Sequence, residues 1–249
     1  MTKFYFDKDA ANKAIGFIEQ FITHTKGELS GKKLKLEDWQ KKIVGDIFGW
    51  KNKETELRKY RTVFILLGRK NGKSTLCAAI GLYMLFADEE RGSEVYSAAG
   101  DRQQAGIVFE IAKGMILQSP ELSERGKVFR NSITNESKGN FYQAISSDSK
   151  TKHGFNANCI IFDELHTQPN RDLWDTLTTS TGSRRQPLCI AITIIAIITS
   201  VDNATSNIAI TPFLIFLSFL PIRPYIIANP DITAPTTRAA NDNLSKSCL

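Results

Sequence analysis

The chain has 249 residues, 42% of them hydrophobic, and a formal net charge of +6. That is enough for one α/β domain with a substantial core, alone or with an appendage, and the basic balance favours an anionic partner. Four scattered cysteines (Cys77, Cys159, Cys189 and Cys248) form no Cys-x-x-Cys pair, which argues against a zinc site or a disulfide framework and for reduced thiols in a cytoplasmic protein. Met1-Thr2-Lys3-Phe4 lacks the apolar run of an export signal.

In chain order, residues 9–23 place Ala10, Ala14, Phe17, Ile18, Phe21 and Ile22 at helical spacing, predicting an amphipathic helix that Gly27 to Gly31 ends. Leu36-Glu37-Asp38-Trp39-Gln40 enters a second helix with Ile43, Val44, Ile47 and Phe48 on its apolar face, and the acids at its start suit the helix dipole. Much of the positive charge lies here, on Lys32, Lys33, Lys35, Lys41, Lys42, Lys51, Lys53, Arg58 and Lys59. It fits a nucleic-acid contact and a solvated lysine-rich face equally well.

Val63-Phe64-Ile65 then reads as a strand, Gly68-Arg69-Lys70-Asn71-Gly72-Lys73-Ser74-Thr75 as a turn, and Leu76 to about Phe86 as a buried helix. Strand, glycine turn and Gly-Lys-Ser at a helix start is the arrangement that cradles nucleotide phosphates. Lys73 would reach the β- and γ-phosphates, and the Ser74 hydroxyl would hold Mg²⁺. The spacing is unusual, because Leu67 stands where the first glycine belongs and Gly68 comes one residue late. The rival reading is a basic surface turn.

Beyond it, Glu94 to Gly100 predicts a strand, Arg102 to Leu117 a helix stopped by Ser119-Pro120, and residues 127–146 short β-like pieces. Cys159-Ile160-Ile161-Phe162 is a short apolar run ending in Asp163-Glu164, a buried strand with carboxylates at its C-terminal edge. Asp163 would hold Mg²⁺, directly or through water, and Glu164 would activate the water that attacks the γ-phosphate. The alternative for Asp163 is a cap on the next helix. A helix over Asp172 to Thr179 and a strand over Leu188 to Ile192 follow. Strands alternating with helices predict an α/β fold, a mostly parallel sheet flanked by helices.

After Thr193 the composition changes. The last 56 residues hold no glycine, no glutamate and only six Asp, Lys or Arg residues. Pro212, Pro221, Arg223 and Pro224 break the apolar stretch 208–227 before it could span a membrane. A shifted reading frame is the favoured explanation, with a non-native or disordered tail as its expected result.

The set of motifs resembles the ATPase domain of the large terminase subunit of tailed bacteriophages, from about Phe17 to Thr193. The resemblance rests on Leu36 to Gln40, on the deviant loop Gly68 to Ser74, and on Ala98-Ala99-Gly100-Asp101-Arg102-Gln103-Gln104-Ala105. It continues through His153-Gly154-Phe155, Ile161 to His166 and Arg184-Arg185-Gln186-Pro187-Leu188. It implies a P-loop NTPase with Walker A and Walker B elements, ATP and Mg²⁺ as ligands, and a role in packaging double-stranded DNA in the bacterial host cytoplasm. It also implies a small terminase subunit and a portal protein as partners, and a homo-oligomeric ring.

By the same resemblance Trp39 and Gln40 contact the adenine, although an ordinary helix N-terminal pair reads equally from the residues. Arg69 matches the family's loop arginine, against a surface salt bridge. Arg184 and Arg185 could act in trans, touch DNA or do neither. The domain plan is an adenine-contacting helical segment over 1–60, an ATPase core over 61–193 and an aberrant tail over 194–249. The family's coupling turn begins at Ile192-Thr193 and is lost in Ile194-Ile195, and the tail holds no carboxylate cluster of a nuclease. Two other readings remain open, a truncated prophage remnant that binds nucleotide without packaging, and another P-loop ATPase such as a helicase.

Overall fold

A computed structural model describes residues 3–68, 71–146, 154–165, 170–193 and 225–228. The first helix, α1 (Lys8–Phe21), is capped by Asp7, whose side chain accepts from the Ala10 N–H. The second, α2 (Asp38–Gly49), starts with a capping box: Gln40 Oε1 accepts the Glu37 N–H at 3.0 Å while Glu37 caps the first turn. Two strands not legible in the sequence, β1 (Phe4–Phe6) and β2 (Trp50–Asn52), pair antiparallel and tie the start of α1 to the end of α2. Their pairing residues are four aromatics, Lys51 and Asn52, without clean alternation.

The main sheet is built from β3 (Thr62–Leu66), β4 (Glu94–Ala99), β5 (Lys127–Val128), β6 (Ser132–Asn135), β7 (Asn140–Ser146), β8 (Ala157–Phe162), β9 (Leu188–Thr193) and β10 (Tyr225–Ala228). Its spatial order is β10-β3-β9-β8-β4-β7-β6-β5. The five central strands, β3 through β7 in that order, run parallel, and antiparallel strands flank them. The expected mostly parallel sheet is therefore present. Residues 225–228 of the tail pair with β3 at the edge; the rest of 194–249, including most of the apolar stretch 208–227, lies outside the described residues.

Four α-helices and a 3₁₀ turn over Ser180–Ser183 complete the described elements. α3 (Lys73–Phe86) follows β3, and α4 (Arg102–Leu117) follows β4. α5 (Pro120–Arg125) starts at the proline expected to end helical structure, because proline at a first helical position sacrifices no hydrogen bond. α6 (Asp172–Thr179) follows β8.

Alternation along the strands sends side chains to two cores. Val63, Ile65, Ile161, Ile190 and Ile192 pack with α1 to α4, while Phe162, Cys189 and Ala191 pack with Leu173, Leu177 and Trp174 of α6. On the first face α3 lies close to the sheet: a β-carbon at Gly81 would meet Ile161 Cδ1 at 3.0 Å. Ala14, Ile18, Val44 and Ile47 belong to the same core as α3, so the 1–60 segment packs on the sheet domain. Cys77, Cys159 and Cys189 are buried and unbridged, as the composition implied. Among the described residues, no helix is long and apolar enough to cross a membrane.

Part of the basic stretch is paired within the chain, while Lys32, Lys33, Lys35 and Lys53 are exposed. Arg58 is buried, its Nη2 lies 3.2 Å from Asp88 Oδ1, and its guanidinium sits over the Phe48 ring. Lys51 pairs with Asp7, Lys41 with Glu19 and Lys42 with Asp46. The Lys59 ammonium lies over the rings of Phe4, Trp50 and Tyr60. For Arg58, Lys41 and Lys51 the carboxylates come from distant parts of the chain, so sequence charge alone overstates what these three contribute.

Candidate active site

The sheet brings the two motifs to one edge. β3 delivers the loop before α3, β8 delivers Asp163 and Glu164, and β9 lies between β3 and β8. Ligands of open parallel sheets bind at this C-terminal edge, where loops and helix N-termini converge.

The loop has the backbone of an anion cradle. Gly72 is the N-cap of α3 with φ +71, a left-handed conformation that costs a β-carbon-bearing residue about 1–2 kcal/mol. Glycine caps without a side-chain acceptor, and the first intrahelical bond runs from the Leu76 N–H to the Gly72 carbonyl at 2.9 Å. The first-turn N–H groups of Lys73, Ser74 and Thr75 are thus left for an anion, at the positive end of the helix dipole. Asn71 lies against Gly68, whose added β-carbon would meet Asn71 Nδ2 at 3.0 Å. Arg69 and Lys70 lie outside the described residues, as do His153 and His166.

Lys73 and Glu164 form an ion pair across the edge, Nζ to Oε1, with side-chain exposures of 11% and 18%. Glu164 stands in left-handed backbone, φ +47, two residues past the end of β8. A strained residue at a strand end, aimed at a cationic partner, is common where chemistry fixes a side chain. Asp163 is 2% exposed. Its N–H donates to the Ala98 carbonyl at 3.0 Å, and its Oδ2 accepts from Gln104 Nε2 at 3.2 Å. Burial, then the Glu164 charge, push its carboxyl above the ordinary carboxylate range, while Lys73 and Gln104 oppose them.

Asp163 Oδ1 is buried without a hydrogen-bond partner. An orphaned buried carboxylate oxygen is costly unless something positive meets it. Together with the Ser74 hydroxyl in the first turn of α3, it fits a magnesium ion held by few protein oxygens and by substrate phosphates. Among the described residues no cluster of three His, Cys, Asp or Glu side chains makes an all-protein metal cage.

The adenine pair is placed in part. Gln40 spends its carbonyl oxygen on the capping box, while its Nε2 approaches the loop, 3.8 Å from a β-carbon placed on Gly72. The helix N-terminal reading of Gln40 is met by the capping box, and the free amide nitrogen lies beside the loop. Trp39 is half-buried against the core. Arg184 is a structural clamp: its Nε donates to the Asn156 carbonyl at 2.9 Å, its Nη2 to the Gly92 carbonyl at 2.6 Å, and Glu90 pairs with it at 3.6 Å. These contacts hold the Arg184 guanidinium in place within the chain. Arg185 contributes its backbone carbonyl to Arg61. Sequence reasoning missed Gln104, although it lay inside a motif already singled out.

A parallel sheet with a glycine-capped lysine loop after one strand and adjacent carboxylates after another, one strand away, defines a P-loop NTPase. Residues 38–206 match the family model described as "Terminase large subunit, ATPase domain", and the chain belongs to that family. It is 31% identical over 189 residues to the terminase large subunit of Enterobacteria phage HK97, covering 72% of this chain and 36% of that protein. It is 26% identical over 191 residues to the terminase large subunit of Lactococcus phage SK1, covering 74% and 35%. The crystal structure of the HK97 bacteriophage large terminase superposes with a TM-score of 0.63 at 27% identity, over 74% of this chain and 37% of that one. The chain thus spans little more than a third of the length of the curated relatives it matches.

Proposed function

We propose that this chain is a Mg²⁺-dependent ATPase, the motor domain that powers packaging of double-stranded DNA into phage procapsids. The observation that carries the reading is the Lys73–Glu164 pair facing the uncapped start of α3. The first-turn N–H groups hold the β- and γ-phosphates, and Lys73 leaves Glu164 to meet the γ-phosphate. Glu164, released, accepts a proton from water as the water oxygen bonds to the γ-phosphorus. The bond from that phosphorus to the β–γ bridging oxygen breaks, giving ADP and phosphate. Ser74 and Asp163 would hold Mg²⁺, which when bound would neutralise charge on the phosphates. Gln40 and Trp39 orient the base, Gly68, Asn71 and Thr75 shape the loop, and Arg69 with Lys70 stabilises charge on the γ-phosphate.

Double-stranded DNA is the substrate moved, contacted through its phosphates without regard to sequence. The terminase small subunit, the portal protein and further copies in a ring are the partners, in the host cytoplasm. The test is ATP hydrolysis by the purified chain with and without double-stranded DNA. Turnover lost in Glu164→Gln supports the reading; turnover that survives it overturns the assigned base.

The composition change after Thr193 favours a second reading, in which a shifted frame leaves a chain that binds nucleotide without packaging. The family match ends at residue 206, inside the altered region. Reading the downstream nucleotides in the other frames tests this, and the absence of any terminase-like continuation there overturns it.

A further inference from the structure

We infer that Gln104 is a positioning residue for the metal-binding carboxylate, turning Asp163 so that its Oδ1 faces the phosphates. This rests on the proposed Mg-ATP site and extends it to a residue on a different βα turn. Strands β4 and β8 are parallel neighbours in register, Ala98 opposite Phe162, so the turn after β4 lies beside the end of β8. Asp101 caps α4 by accepting the Gln104 N–H at 2.9 Å, which fixes the backbone of Gln104 in the first turn. From there its Nε2 donates to Asp163 Oδ2.

An aspartate carboxylate turns about its Cβ–Cγ bond and presents whichever oxygen is left uncommitted. With the Asp163 N–H held by Ala98, Oδ2 held by Gln104 and the Glu164 N–H also acting on the carboxylate, the oxygen left over is Oδ1, the buried atom without a partner. Both atoms of the carboxylate are thereby assigned, one to the protein and one to the ion. Outer partners of metal-bound carboxylates act this way, and their loss typically costs about 10- to 100-fold in metal affinity. Gln104 also makes α4 part of the metal site, since the helix cannot shift at its N-terminus without dragging this contact.

The test measures binding of a fluorescent ATP analogue to the full chain while Mg²⁺ is titrated. Gln104→Met keeps the length of the side chain and removes the donor; Gln104→Asn keeps the amide but is one methylene too short. Gln103→Met, on an exposed neighbour, is the control. Both Gln104 variants are expected to need about 10-fold more Mg²⁺ for half-saturation, with nucleotide binding in EDTA and melting temperature unchanged. Half-saturation within about twofold of the parent in both variants, a shift well below the range for such partners, overturns the inference and leaves the proposed function standing. A parent chain without Mg²⁺-dependent nucleotide binding overturns both.

Discussion

Lys73 and Glu164 neutralise one another across the sheet edge, joining the first residue of α3 to the residue that follows Asp163. The cation proposed to bind phosphate and the carboxylate proposed as base therefore occupy each other. On that proposal nucleotide has to compete for Lys73, and by doing so it exposes Glu164.

Glu164→Gln removes the competitor along with the base. ATP affinity is expected to rise about fivefold, corresponding to loss of a pair worth about 1 kcal/mol at this exposure. Turnover falls by about 10²–10⁴-fold. Equilibrium binding and steady-state hydrolysis on one preparation check both; unchanged or weaker ATP binding refutes the competition.

Lys73→Ala separates the same pair from the other side. It leaves Glu164 facing the site without its cation, so binding of ATP is expected to fall by at least about tenfold, the cost of one charge-assisted contact to phosphate. Calorimetric titration with a non-hydrolysable analogue reads this directly.

Arg58→Met strands Asp88 in the core beside Asn158 and is expected to cost about 3–5 kcal/mol in urea unfolding. The double substitution Arg58→Met with Asp88→Leu is expected to recover part of that, because no buried charge then lacks a partner. An unaltered midpoint for the single variant refutes the burial of Arg58.

Alkaline pH is expected to weaken the fold through its thiols. Burial pushes the Cys189 thiol from its ordinary 9.0 up to about 12, and it pushes Cys77 and Cys159 up as well. Below pH 9 the thiol holds its proton in both states and contributes no pH dependence. Above it the unfolded chain gives the proton up while the folded chain keeps it, so stability falls as pH rises, by about 1.4 kcal/mol per unit per thiol. Urea midpoints between pH 8 and 10.5 measure the slope, and Cys189→Ala is expected to make it shallower.

Much of the fold was legible because its signals are local. Arg102–Leu117 and Asp172–Thr179 are helices at the boundaries their periodicity predicts, and Asp163 and Glu164 do end a fully buried strand. What escaped depends on partners distant in sequence. β1 and β2 exist through each other, across the whole of α1 and α2. Arg58 reads as surface charge until Asp88 is folded onto it, and Arg184 reads as a free arginine until the carbonyls of Asn156 and Gly92 close around it. Gln104 carries no signal of its own, since an amide in a helix's first turn is ordinary and only the neighbouring strand gives it a carboxylate.

The place of β9 between β3 and β8 has a further consequence, for tolerance of insertions. Its residues alternate in size, with Leu188, Ile190 and Ile192 facing the thick helical layer and Cys189 and Ala191 facing α6. A slip of one residue would press isoleucines onto Trp174 and Phe162 and leave an alanine-sized gap beneath α3. Because the same strand spaces the phosphate loop from the carboxylates, that slip would spoil both cores and the gap between the two halves of the site together. Single-residue changes in length here are thus predicted to be among the least tolerated in the chain.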